Sequence, residues 1–122
     1  MKNMINWFEI PVTDFERAKK FYETVMDFKI TEGRFGDWKM GFFPSFEGKV
    51  SGAIITGAGY EPTTKGTLIY LNTNPDLTIY LNRVEAAGGK VTVPKKQISP
   101  EIGYWACFTD TEGNRLAFHS QN

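Results

Sequence analysis

The feature that most constrains this chain is that its second half repeats its first. Trp7-Phe8-Glu9-Ile10 stands over Leu68-Ile69-Tyr70-Leu71, Tyr22-Glu23 over Val84-Glu85, and Lys29-Ile30-Thr31 over Lys90-Val91-Thr92. Phe43-Pro44-Ser45-Phe46-Glu47-Gly48 stands over Phe108-Thr109-Asp110-Thr111-Glu112-Gly113. Agreement in both order and spacing calls for two similar units that bury their faces on each other. We predict one domain over residues 1–122, built from modules 4–57 and 66–122. Gly57 to Lys65, with Gly59 and Pro62, reads as the linker.

Each module has the pattern βαβββ. Ile5 to Val12 alternates, with Phe8, Ile10 and Val12 on one face and Trp7 and Glu9 on the other. Thr13-Asp14-Phe15-Glu16 reads as a capping box with Thr13 as N-cap. Phe15, Ala18, Phe21, Tyr22, Val25 and Met26 then follow at helical spacing to about Asp27. Phe28 to Thr31 is the next strand. Trp38 to Phe43 and Val50 to Thr56 form a hairpin turning at Glu47-Gly48. In the second module Thr67 to Thr73 is a strand, and Asn74-Pro75 starts a helix with Asn74 as N-cap. Leu77, Leu81, Val84 and Ala87 form its buried stripe, and Gly88-Gly89 ends it. Lys90 to Val93, Tyr104 to Thr109 and Arg115 to Ser120 complete the set, the last two joined around Glu112-Gly113. The fold class is α+β, two modules whose mixed sheets curl around a cleft.

Composition excludes several roles. Lys+Arg and Asp+Glu both number 14, so no basic face is available for a phosphate backbone and nucleic acid is not an expected partner. No apolar run reaches the length of a membrane span, and Met1 to Phe8 has no signal-peptide pattern. Cys107 is the only cysteine, which suits a reducing cytoplasm. Ten Phe, five Tyr and three Trp are more than a core of this size needs. Some are expected to line a pocket or a subunit interface.

The segments Trp7-Phe8-Glu9-Ile10-Pro11-Val12-Thr13-Asp14, Phe21-Tyr22-Glu23, Val84-Glu85-Ala86-Ala87-Gly88-Gly89 and Asp110-Thr111-Glu112-Gly113-Asn114 resemble the vicinal oxygen chelate superfamily. That family includes glyoxalase I, bleomycin-resistance proteins and extradiol dioxygenases. The resemblance covers nearly the whole chain and implies paired βαβββ modules around a cleft, and a homodimer. In its metal-using members a His commonly stands where this chain has Trp7, with Leu68 as the repeat partner. A Glu commonly stands where this chain has Ala117, with Gly52 as the repeat partner. None of these four side chains can ligate a cation. One His and one Cys in the whole chain are likewise too few for a transition-metal site. We therefore expect no metal and no cofactor.

The expected pocket is lined by Trp7, Glu9, Leu68, Tyr70, Trp105, Ala117 and His119. Glu9, by alternation, shares the Trp7 face and could serve as an acid or base. Tyr70, its repeat partner, could orient a ligand or donate a proton. His119 could shuttle protons near neutral pH. Each also has a structural use, as an ion-paired, space-filling or solvated side chain. The leading expectation is a protein of the glyoxalase/bleomycin-resistance type that binds a small apolar or aromatic molecule without a transition metal. The alternatives are a metal-independent lyase, isomerase or hydrolase using Glu9 with Tyr70 or His119, and a protein-interaction or regulatory subunit.

Overall fold

A computed structural model describes residues 3–46 and 49–122. The first module contributes β1 (Trp7–Pro11), α1 (Phe15–Met26), β2 (Thr31–Phe35), β3 (Trp38–Phe42) and β4 (Ser51–Thr56). The second contributes β5 (Tyr70–Asn72), α2 (Thr78–Val84), β6 (Lys90–Ser99), β7 (Gly103–Thr109) and β8 (Arg115–Ser120). Two four-stranded sheets result, ordered β1-β4-β3-β2 and β5-β8-β7-β6. In each, the first strand runs parallel to the last and the other pairings are antiparallel. No helix among the described residues is long and apolar enough to cross a membrane.

Both modules drain into one core. Ile10, Val12 and Ile54 of the first sheet and Leu71, Ala106, Phe108, Leu116 and Phe118 of the second share a single buried cluster with Phe15, Ala18, Phe21, Tyr22 and Val25 of α1. Helix α1 serves both sheets. Phe21 lies 6.1 Å from Phe108 of β7, and Tyr22 lies 5.6 Å from Phe43 at the end of β3. Burying one helix on two sheets lets a short chain shield far more apolar surface than either module could alone. The opposite face of each sheet lies outside this core.

The second module's Asp110–Asn114 turn clasps the start of α1. Glu112 Oε1 accepts from the amides of Thr13 (3.0 Å) and Asp14 (2.7 Å), and Oε2 accepts from Arg17 Nε (2.7 Å). Asp110 Oδ1 accepts from the amides of Glu112 and Asn114, shaping the turn. Its Oδ2 accepts from the fully buried Tyr22 hydroxyl at 2.6 Å. Asn114 Nδ2 donates to the Pro11 carbonyl, again at 2.6 Å. Burial and the neighbouring Asp110 charge push the Tyr22 hydroxyl well above the usual tyrosine range, so it stays a donor. Arg83 of α2 adds a further tie by donating to the Val25 carbonyl at 3.1 Å.

Local details depart from the sequence expectations for identifiable reasons. Asp14, not Thr13, caps α1, since its carboxylate accepts from Arg17 N while the Thr13 amide is held by Glu112. The strand expected at Phe28 to Thr31 starts only at Thr31, because Glu23 Oε2 takes the Ile30 amide away from any ladder. Helix α2 starts at Thr78, not at Asn74-Pro75. Asn74 spends its side-chain oxygen on the Gln121 amide, and Asp76 accepts from the Thr78 amide instead. Strand β5 is shorter than Thr67 to Thr73, whereas β6 runs on past Val93 with register shifts. The expected Glu47-Gly48 turn lies outside the described residues.

Glu112 sets the pH response of the clasp. Burial alone would push its carboxyl up, but Arg17 and the Asp14 amide outweigh this and hold it below the usual glutamate range. Lys95 and Thr78 hold Asp76 down at about 2. Depressed folded-state values mean that the unfolded chain takes up protons first, so stability present near neutrality is lost as pH falls from about 5 toward 2. Glu112→Ala should cost about 1–3 kcal/mol at neutral pH, the loss of hydrogen bonds to a charged acceptor. It should also flatten the acid limb of a Tm-against-pH profile. Melts showing no loss and an unchanged profile would remove the clasp from the account.

Candidate functional site

The pleat divides every strand between the shared core and an outer face, and the outer faces carry the candidate residues. On the first sheet Glu9 stands opposite Ala53, and Phe42 opposite Ala53 from the other side. Met40, Ala53 and Ile55 form a second, smaller cluster here, with Phe42 and Tyr60 packed against it. Trp7 is 43% exposed, and its ring lies 6.2 Å from that of Phe42. Trp38 is on the same side, its indole donating to the Ala58 carbonyl at 2.9 Å. Gly57, at φ 148, leaves the room that ring requires. Trp7 and Glu9 thus sit opposite the core, as the alternation requires.

Glu9 does not stand alone. Its Oε1 accepts from the Tyr60 hydroxyl at 2.8 Å. That hydrogen bond, with some burial and the carboxylate's charge, raises the phenol above its usual range. Tyr60 comes from the linker and was not among the expected site residues. Its only sequence signal is an aromatic residue following Gly57-Ala58-Gly59, a stretch that otherwise reads as a connector. Tyr70 and His119, the expected partners of Glu9, belong to the other sheet.

On the second sheet Tyr70 pairs with Ala117, Asn72 with His119, and Trp105 with His119. An open groove of about 450 Å³ lies along this outer face. Its walls include Tyr70, Asn72, Asn74, Ile98, Ile102 and His119. Gly103, at φ 102, makes the tight turn from β6 into β7 that brings Ile98 and Ile102 to the groove. His119 is partly buried, with Nε2 2.6 Å from the Ile102 carbonyl, so it is not a freely solvated terminal histidine. Of the expected residues, Tyr70 and His119 line this groove. Trp105 is partly buried beside His119, Ala117 is fully buried, and Leu68 precedes β5. Asn72, Asn74, Ile98 and Ile102 were not foreseen.

The positions where a metal would be expected do not suit one. The pairings of Glu9 with Ala53 and of Tyr70 with Ala117 make Ala53, not Gly52, the counterpart of Ala117. The first hairpin is one residue longer than the second: Phe42 pairs with Ala53, but Cys107 with Ala117. The corrected set is Trp7, Leu68, Ala53 and Ala117, an indole and three hydrocarbon side chains with no lone pair for a cation. Among the described residues no group of three or more His, Cys, Asp or Glu side chains is placed to hold a metal ion.

Comparison with known proteins agrees with this architecture. Residues 4–118 match the family model described as Glyoxalase/Bleomycin resistance protein/Dioxygenase superfamily. A glyoxylase-like domain-containing protein of Didymella fabae is 30% identical, over 96% of this chain and 93% of its own. Among solved structures, a glyoxalase/bleomycin resistance protein from Albidiferax ferrireducens T118 superposes with a TM-score of 0.75 at 18% identity, covering 98% of this chain and all (100%) of that one. Glyoxalase I from Zea mays superposes with a TM-score of 0.70 at 17% identity, over 94% of this chain but only 45% of the maize chain. This chain therefore spans less than half of that enzyme. Matched by the family model over nearly its whole length, the chain belongs to the glyoxalase/bleomycin resistance protein/dioxygenase superfamily.

Proposed function

We propose that this protein binds a small, largely apolar molecule on the outer faces of its sheets and does so without a transition metal. The observation that carries the reading is the groove of about 450 Å³ lined by Tyr70, Asn72, Ile98, Ile102 and His119, on a family scaffold whose metal positions hold Trp7, Leu68, Ala53 and Ala117. The volume suits a small ligand, and apolar walls with a few polar groups are the usual make-up of such sites. A neutral dye such as Nile red, titrated into protein dialysed against EDTA, should bind saturably. Binding that appears only after Zn, Ni, Fe or Mn is restored would overturn the metal-free reading.

The protein works, on this reading, as a homodimer. Trp7, Phe35, Trp38, Tyr70, Ile98 and Ile102 are all exposed on or beside the outer faces, and large apolar side chains there suit a subunit contact. A second copy laid across them would cover this surface and close the site between chains. Light scattering at micromolar concentration should return the mass of two chains, and a monomer mass would refute this arrangement.

The Glu9–Tyr60 contact favours a second reading, metal-independent proton transfer on the first sheet. Glu9→Gln separates the two: binding persists under the first, and turnover of any substrate is abolished under the second. Trp7→Ala tests the outer face itself. It should cost less than the roughly 3–5 kcal/mol typical of removing a fully buried aromatic core residue. A core-sized loss of stability in denaturant melts would sink the assignment of Trp7 to that face.

A further inference from the structure

The hydrogen-bond accounting around the groove restricts what it can hold. Asn72 Oδ1 accepts from the Asn74 amide at 3.0 Å and from Asn74 Nδ2 at 2.9 Å. A backbone N–H needs an acceptor, so the Asn72 oxygen is fixed on that side and its Nδ2 hydrogens are what remains for a ligand. His119 Nε2 faces the Ile102 carbonyl at 2.6 Å, and Gln121 Nε2 donates to the same oxygen at 3.2 Å. A carbonyl only accepts, so the His119 hydrogen is on Nε2, and Nδ1 of the neutral ring is left as an acceptor. The Tyr70 hydroxyl, half-exposed, can act either way. Among the described residues no Asp, Glu, Lys or Arg lines the groove, so an ion would lose water there without meeting a counter-charge from them.

From the His119 acceptor, the Asn72 Nδ2 hydrogens, the remaining Asn74 Nδ2 hydrogen and the Tyr70 hydroxyl against the side chains of Ile98 and Ile102, we infer that the groove selects a neutral ring carrying an amide-type N–H beside its carbonyl, as in a lactam or an oxo-pyrimidine. This rests on the small-molecule reading above. Such a ring presents its donor and acceptor side by side, to His119 Nδ1 and Asn72 Nδ2, while its apolar edge meets the isoleucines. Carboxylates and ammonium ions of the same size are disfavoured.

Four probes test this by amide chemical-shift mapping of the whole chain: 2-pyridone, N-methyl-2-pyridone, benzoate and benzylammonium. 2-Pyridone should give saturable shifts at Tyr70, the Asn72 side-chain amide and His119. The N-methyl analogue, which has a methyl group in place of the donor hydrogen, should bind at least about tenfold more weakly, the order expected for one well-placed hydrogen bond. Both ions should bind more weakly than 2-pyridone. Asn72→Asp keeps an oxygen for Asn74 and replaces the Nδ2 donors with an anionic acceptor. It should leave the Tm unchanged at neutral pH and weaken 2-pyridone by at least about tenfold. Equal binding of the N-methyl analogue, tighter binding of either ion, or full 2-pyridone affinity in Asn72→Asp overturns the inference. If Nile red still shifts the same residues, only the ligand class has failed. If no probe and no dye shifts them, the groove is not a binding site and both proposals fall.

Discussion

The grip of the Asp110–Asn114 turn on the start of α1 is the constraint from which the rest of the structure follows. Glu112 holds the Thr13 and Asp14 amides and Arg17, Asp110 holds Tyr22, and Asn114 holds the Pro11 carbonyl. These contacts fix the second module against the beginning and middle of the first module's helix. With α1 so placed, Phe21 and Tyr22 fill the space between the sheets and one core serves both modules. The opposite faces are thereby released from structural duty. The Asp-Thr-Glu-Gly-Asn segment, which carries part of the family resemblance, earns its place here as a mechanical joint.

Aromatic residues sort themselves accordingly. Phe15, Phe21, Phe43, Phe108 and Phe118, which have no polar atom to satisfy, are in the core. The three tryptophans all lie on outer faces, Trp7 and Trp38 on the first sheet and Trp105 on the second. An indole combines a large apolar surface with an N–H that needs a partner, which suits a surface that meets ligand or subunit. The two outer faces differ in chemistry. On the first, the carboxylate of Glu9 is already bound to Tyr60. On the second, the groove sets hydrogen-bonding groups of Tyr70, Asn72 and His119 between apolar walls.

The fold was legible wherever the period of the side chains decides. Alternation in Trp7–Val12 separated Ile10 and Val12 from Trp7 and Glu9, and the stripe from Phe15 to Val25 marked α1 as a core helix. The internal repeat anticipated two sheets with the same strand order. What escaped depended on contacts between residues distant in sequence. Asp14 caps α1 through the Arg17 amide, while Glu112, from the other module, holds the Thr13 and Asp14 amides that precede the helix. Tyr60 joined Glu9 from a stretch that reads as linker. Ile98 and Ile102 reached the groove because β6 ran on well past Val93. The slip from Gly52 to Ala53 came from a hairpin one residue longer than its repeat, which matching the glycines of the two turns conceals. Neither Gly52 nor Ala53 has a side chain that can ligate a metal, so the slip does not alter the chemistry of that position.

Because all three tryptophans sit on the outer faces, they report directly on the claim that these faces bind ligand without metal. The decisive measurement is the ¹⁹F NMR spectrum of protein labelled with 5-fluorotryptophan, recorded during titration first with Zn and Ni and then with Nile red. The account predicts that the resonances of Trp7, Trp38 and Trp105 stay in place through the metal titration and that the dye moves at least one of them saturably. A resonance that shifts at stoichiometric metal, or three that ignore the dye, would contradict it.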